Sequence, residues 1–332
     1  MTREQLAEGM RFQSATSEKS GSPLYAQLFE LAARDVEAGG AIWRFLEPVA
    51  SVETPRSLLP LRCFALFHRL ALEGSLPDLA ACYPSCSGDR ATRDGQAAYQ
   101  AIVGAIARGG LPSVPARVQT NECGRCRALL PGFAAIAAAT EYRPWRLFEP
   151  GSSAGLNLLW DHYDFVRAAA SFPLPEIVER RGCDVAPVTP EEMDSLPAFI
   201  WPDQLDRFSM LRQAIQVARR MPPPVESADA VAWCEQQLLE KPWPQQVATV
   251  VFHSIFWLYL DQPSKQRLEA ILVEAGTRRA TRDAPFAWLS MEPDATASHA
   301  DIVLTMWPGD GEPRLIATSG FHGAGVRLQS AS

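Results

Sequence analysis

Leu147-Phe148-Glu149-Pro150-Gly151-Ser152-Ser153-Ala154-Gly155-Leu156-Asn157 reads as a strand end, a turn of small residues and a helix start. Small residues let the backbone pass close to a ligand, and a helix start offers free N–H groups to a polar or anionic group. The texture of the chain changes just before this stretch, at Pro144. Downstream, Ala248–Phe256 and Phe286–Met291 are rich in apolar and aromatic residues and predict buried strands. Ile177–Val178, Cys183–Val188 and Val225–Ala228 are shorter strand candidates. Helical spacing is read at Ala154 to about Tyr163, Pro190–Met221, Ala230–Leu239 and Ser264–Ala275. Ile302–Trp307 and Arg314–Thr318 flank Gly309-Asp310-Gly311 and predict a C-terminal antiparallel hairpin. Strand alternating with helix implies a doubly wound, Rossmann-like α/β sheet over residues 144–332.

Residues 1–143 read differently. Leu24, Leu28, Leu31 and Ala32 recur at helical spacing after Pro23, and Ala41–Leu46, Leu58–Leu72 and Ala97–Ala107 follow suit. Gly39-Gly40, Pro48, Pro55, Pro77 and Gly109-Gly110 punctuate them. An all-helical N-terminal domain or cap is expected.

The composition bounds the function. At 332 residues, 47% hydrophobic and 21% charged, the chain has the make-up of a globular protein and not of a disordered one. Its net charge of −7 argues against a general nucleic-acid binder. The acid excess lies in the second half: residues 144–332 hold 16 basic and 24 acidic side chains, against 15 and 14 in residues 1–143. Met1–Thr16 is polar, without a secretory signal, and no run of about 18 apolar residues occurs, so no membrane span is expected and a cytoplasmic location is. A small-molecule partner is favoured; oligomeric state is not legible. The seven cysteines do not suggest a disulfide framework. Cys82 with Cys86 and Cys123 with Cys126 have a spacing that metal ligands also use, but buried thiols and no metal are expected.

Two chemistries compete for the Gly151 turn. Glu149-x-Gly151-x-Ser153-x-Gly155 resembles the acidic residue and Gly-x-Gly-x-Gly turn of class I S-adenosylmethionine sites, with Ser153 in the middle glycine's place. That resemblance implies that Glu149, Gly151, Ser153, Gly155 and Asn157 hold the cofactor. It also implies that Asp184, closing the second strand, accepts the ribose hydroxyls, and that Asp229, after the third, lies on the adenine side. His253, at the end of the fourth strand, would face the reactive end. Alternatively, Gly151-Ser152-Ser153-Ala154-Gly155 spells G-x-S-x-G, a nucleophile elbow, with Ser153 as nucleophile, His322 as base and Asp301 as orienter. About 140 helical residues before the turn, and no HGG-type oxyanion loop, count against a hydrolase.

Gln119-Thr120-Asn121-Glu122-Cys123-Gly124-Arg125 resembles the Q-T-N-E-x-x-R element of an uncharacterised bacterial group, domain-of-unknown-function family 2332. Further marks are Ser22-Pro23-Leu24-Tyr25, Tyr83-Pro84-Ser85, Arg181-Gly182-x-Asp184-x-x-Pro187, Trp201-Pro202-Asp203-Gln204 and Val251-Phe252-His253. The resemblance spans nearly the whole chain and implies a methyltransferase-like fold behind a helical N-terminal region. It places Asn121, Glu122, Arg125 and His253 on the acceptor side, with Glu122 or His253 as a base. Were a helix to start near Asn121, Asn121, Glu122 and Arg125 would share a face; a helix cap with a surface ion pair explains the same spacing. A methyltransferase, a serine hydrolase and a non-catalytic binding protein are the expectations carried forward.

Overall fold

A computed structural model of the chain describes residues 1–118 and 121–329. Gln119 and Thr120, which open the Q-T-N-E element, lie outside the described residues. The chain forms two compact units, Met1–Thr120 with Asp194–Ser209, and Asn121–Met193 with Met210–Ser332.

The described part of the first unit is helical, with long helices at Arg3–Lys19, Pro23–Glu37, Ala41–Ala50, Leu59–Leu72 and Gly95–Arg108. Thr2 and Gln5 close a capping box at the first of these. The helices bury Leu6, Leu28, Phe29, Phe64 and Phe67 in one core. The helix at Pro23 carries no cap of its own. Its Leu24 N–H donates to Asp203 Oδ2 at 3.1 Å, and the Ser22 hydroxyl donates to Asp203 Oδ1. Ser85 N–H donates to the Pro202 carbonyl at 2.9 Å, and Trp201 packs on Tyr25. The Trp201-Pro202-Asp203-Gln204 element is therefore the brace of the helical unit, reaching a helix start some 180 residues earlier in the chain.

The second unit is a mixed α/β structure on an eight-stranded sheet: β1 Trp145–Pro150, β2 Ile177–Asp184, β3 Val225–Ser227, β4 Ala248–Ser254, β5 Phe286–Pro293, β6 Ala300–Trp307, β7 Arg314–Ser319 and β8 Arg327–Leu328. The strand order is β3-β2-β1-β4-β5-β6-β7-β8. β1 to β5 pair in parallel, and β5–β6, β6–β7 and β7–β8 are antiparallel. β1 and β4 are buried along their whole length, as central strands of a sheet covered on both faces must be. Helix Arg125–Ala139 packs Gly132 against Leu289 on one face, and helix Gln262–Arg279 packs Gly276 against Trp307 on the other. The C-terminal hairpin forms where expected, but β6 follows β5 through the turn at Asp294 with no crossover helix.

Other expected elements form differently. The helix read after the Gly151 turn is a 3₁₀ segment, Leu156–His162, kinked at Leu159. Arg180 explains part of this: its guanidinium donates to the Leu158 carbonyl and, in a two-pronged pair at 2.7 Å, to Asp161, giving the segment partners outside a helical ladder. The stretch Pro190–Met221 is split at Trp201-Pro202 into a 3₁₀ segment, Glu192–Phe199, and helix Leu205–Arg220. Among the described residues, no helix is long and apolar enough to cross a membrane. All seven cysteines are free thiols.

Candidate functional site

β2 and β3 lie on one side of β1, and β4 and β5 on the other. The strand order thus reverses between β1 and β4, and open α/β sheets bind ligands outside the carboxyl ends of strands at such a switch point. The Gly151 turn occupies that position. Three of its residues adopt left-handed backbone: Gly151 at φ 73°, Ser153 at 53° and Gly155 at 69°. Glycine takes this conformation without strain, whereas at Ser153 it costs about 1 kcal/mol or more. The surroundings hold the turn in place. Gly151 and Ser152 N–H both donate to the Cys183 carbonyl, at 2.8 and 3.0 Å, and Gly155 N–H closes the turn onto the Ser152 carbonyl at 2.7 Å.

Asp184 completes this scaffold. Its Oδ2 accepts Ser153 N–H at 3.0 Å and its Oδ1 accepts Ala186 N–H at 2.9 Å. The carboxylate expected to meet a ribose is first of all a brace for the turn, and each oxygen keeps a second lone pair. Asp229 is exposed and caps helix Ala230–Glu235, its Oδ1 accepting Val231 and Ala232 N–H, each at 3.0 Å.

Glu149 is 2% exposed, and its Oε2 is buried without a hydrogen-bond partner. Burial pushes its carboxyl well above the ordinary carboxylate range; a hydrogen bond with Asn157 and the Arg125 charge work against that shift. Asn157 in turn accepts the Cys126 thiol at 3.1 Å. Burial likewise drives the Cys123 and Cys126 thiols up, which makes them inert packing groups.

The helix that follows Asn121 starts only at Arg125, so the shared face expected of Asn121, Glu122 and Arg125 does not form. Asn121 Oδ1 accepts Leu156 N–H at 3.0 Å, joining this segment to the end of the Gly151 turn. Glu122 is buried and accepts Gly124 N–H at 3.2 Å. Arg125 donates to the Ser254 carbonyl and to the Phe321 carbonyl, both at 3.1 Å, and so ties the end of β4 to the loop after β7.

His253 is 1% exposed and stacks on Trp257 with ring centroids 5.1 Å apart. Trp288 donates its indole N–H to His253 Nε2 at 3.0 Å. His253 Nδ1 lies 2.7 Å from Glu292 Oε1. Both ring nitrogens are engaged inside the protein, so the His253 ring is held in one orientation. Sequence reasoning missed Glu292, Trp288 and Phe256. The available signal was a carboxylate ending the strand that follows the His253 strand.

Phe256 N–H donates to Glu292 Oε1 at 3.0 Å, and the Phe256 ring covers Gly151 so closely that a Cβ there would overlap it. Asp301 pairs with His299 Nε2 at 3.1 Å, and the His322 carbonyl abuts Gly124 at the start of helix Arg125–Ala139.

No curated protein and no solved structure matches the chain. A family model described as an uncharacterized protein conserved in bacteria (DUF2332) matches residues 7–170 and 164–327, and the chain belongs to that family.

Proposed function

We propose that the second unit is a methyltransferase-like domain that binds S-adenosylmethionine and transfers its methyl group to a small-molecule acceptor. The observation that carries this reading is the left-handed Gly151–Gly155 turn at the carboxyl end of β1, where the strand order reverses. The residues present fit such a ligand. The buried Glu149 Oε2 lacks a partner and suits an N–H or O–H donor. The turn exposes close-approach backbone at Gly151 once the Phe256 ring yields, Asp184 retains acceptor capacity, and Asp229 keeps Oδ2 outside its cap bonds. The antiparallel pair β6–β7 at the end of the sheet is in keeping with such a domain, although β6 is reached without a crossover helix.

When bound, the cofactor supplies an electrophilic methyl group on sulfonium sulfur. In this reading the chain's own residues position the reactants, the term that carries much of the acceleration in such displacements. Asp184 and Asn121 hold the turn from either end, and Arg125 fixes the end of β4. The negative net charge favours a small acceptor over nucleic acid.

Calorimetric titration of the full chain with S-adenosylmethionine and S-adenosylhomocysteine tests the reading. One micromolar site per chain is expected. Folded protein that binds neither overturns it. Tight binding with no turnover on broad acceptor panels would leave a binding protein of the same fold. Labelling of Ser153 by a fluorophosphonate would revive the hydrolase.

A further inference from the structure

Indole N–H is a donor only. Trp288 therefore forces His253 Nε2 to be the acceptor, which leaves the ring proton on Nδ1. His253 Nδ1–H then donates to Glu292 Oε1, and Phe256 N–H donates to the same oxygen. Two donors converge on Oε1, while Oε2 of the same carboxylate is buried with no partner. Native structures rarely leave a buried acceptor unpaired, and the exceptions call for an explanation. The placement supplies one. Ser254, the last residue of β4, pairs with Met291, so Glu292 stands one residue beyond, at the same carboxyl-end rim as the Gly151 turn. Phe256 links the two directly, its backbone on Glu292 and its ring on Gly151.

We propose that Glu292 Oε2 anchors an N–H or O–H donor, an amine or hydroxyl group, on the ligand that shares this rim, with His253 and Trp288 as positioning residues that hold the carboxylate. That this ligand is the methyl acceptor rests on the function proposed above; the polarity of the anchor does not. The stacking of His253 on Trp257 keeps the imidazole from turning away, so the carboxylate is presented in one orientation.

Replacing Glu292 by Gln gives a sharp test. The two donors at Oε1 require the amide oxygen there, which places the amide NH₂ where Oε2 was. The site then offers a donor where it offered an acceptor. The probes are benzylamine, benzyl alcohol and benzoate, matched in size and followed by ligand-observed NMR with the full chain. Wild type is expected to bind the amine and alcohol about tenfold or more tightly than benzoate. Glu292→Gln is expected to bind benzoate more tightly than the amine, with the alcohol, which donates and accepts, changing least. The same order of affinities in both proteins overturns the proposal.

Should Glu292→Gln not fold, Trp288→Phe removes the indole N–H while keeping an aromatic ring beside His253 and Trp257. It is expected to weaken benzylamine several-fold. In ¹⁵N spectra, His253 should be the Nδ1–H tautomer in wild type and should lose that fixed preference in the variant. A histidine that behaves identically in both proteins refutes the positioning role. If the preference inverts but S-adenosylmethionine does not bind, the methyl-transfer reading fails and the Glu292 anchor stands. If S-adenosylmethionine binds and the probe order does not change, the anchor fails alone.

Discussion

Asp184 Oδ2 accepts the backbone N–H of Ser153 at 3.0 Å, so the end of β2 holds the turn that follows β1. The left-handed Ser153 is a residue of strained backbone, and such residues persist where neighbours over-determine them. With Ala186 N–H on the other oxygen, the half-buried carboxylate organises the rim before any ligand arrives. Replacing Asp184 by Ala leaves two backbone donors to find other partners. A loss of about 1–3 kcal/mol in urea unfolding is expected. Asn recovers only part of it, because its NH₂ opposes one of the two N–H groups. In the proposed function both variants also weaken S-adenosylmethionine. An Ala variant as stable as wild type would show that the turn stands without Asp184.

Gly151 and Phe256 form a second testable pair. Gly151→Ala meets two penalties, a left-handed backbone and overlap with the Phe256 ring. Together they are expected to cost about 3 kcal/mol. In a Phe256→Ala background the overlap is gone, and the same substitution should cost only about 1–2 kcal/mol, the backbone part. The double-mutant cycle in urea separates the parts. Equal costs in both backgrounds would mean that the ring does not press on the turn.

These pairs show which parts of the molecule a sequence reveals. Ala248–Phe256 and Phe286–Met291 were legible as strands because apolar and aromatic residues dominate them, as buried strands require. Gly151 and Gly155 were legible as a turn because left-handed backbone selects glycine. The 3₁₀ segment after the turn was not, since the Arg180 that satisfies it comes from the next strand. Trp201-Pro202-Asp203-Gln204 was legible only as a motif, and folding shows that its Asp203 caps the helix at Pro23. His253 stood visibly at a strand end, yet its role depends on Trp288 and Glu292, which the β4–β5 register brings beside it. Local preference was readable; partners chosen by register were not.

Asp229 tests the division between scaffold and ligand contact. As an N-cap, its replacement by Ala is expected to cost about 1 kcal/mol, and replacement by Ser much less, because Ser caps nearly as well. Ser lacks the second carboxylate oxygen. In the proposed function, Asp229→Ser therefore keeps its stability and loses affinity for S-adenosylmethionine by calorimetry. Affinity equal to wild type would confine Asp229 to the cap.

His68 gives the helical unit an acid sensitivity whose sign is fixed. The ring is fully buried, its Nδ1–H donating to the Ala198 carbonyl at 3.1 Å and its Nε2 accepting the Ser85 hydroxyl at 2.7 Å. Burial lowers its pKa from the ordinary 6.5 to about 4. Below pH 6.5 the unfolded chain takes up a proton that the folded chain refuses, so stability falls as pH falls. The contribution is complete above about pH 6.5, declines by up to about 1.4 kcal/mol per pH unit, and is exhausted near pH 4, a total of about 3 kcal/mol. His68→Gln keeps a donor and an acceptor but does not titrate. Its unfolding free energy, followed from pH 7.5 to 4.5, should fall less steeply than that of wild type by about one proton's worth of slope. Parallel curves would mean that the imidazole is protonated as readily inside the fold as outside it.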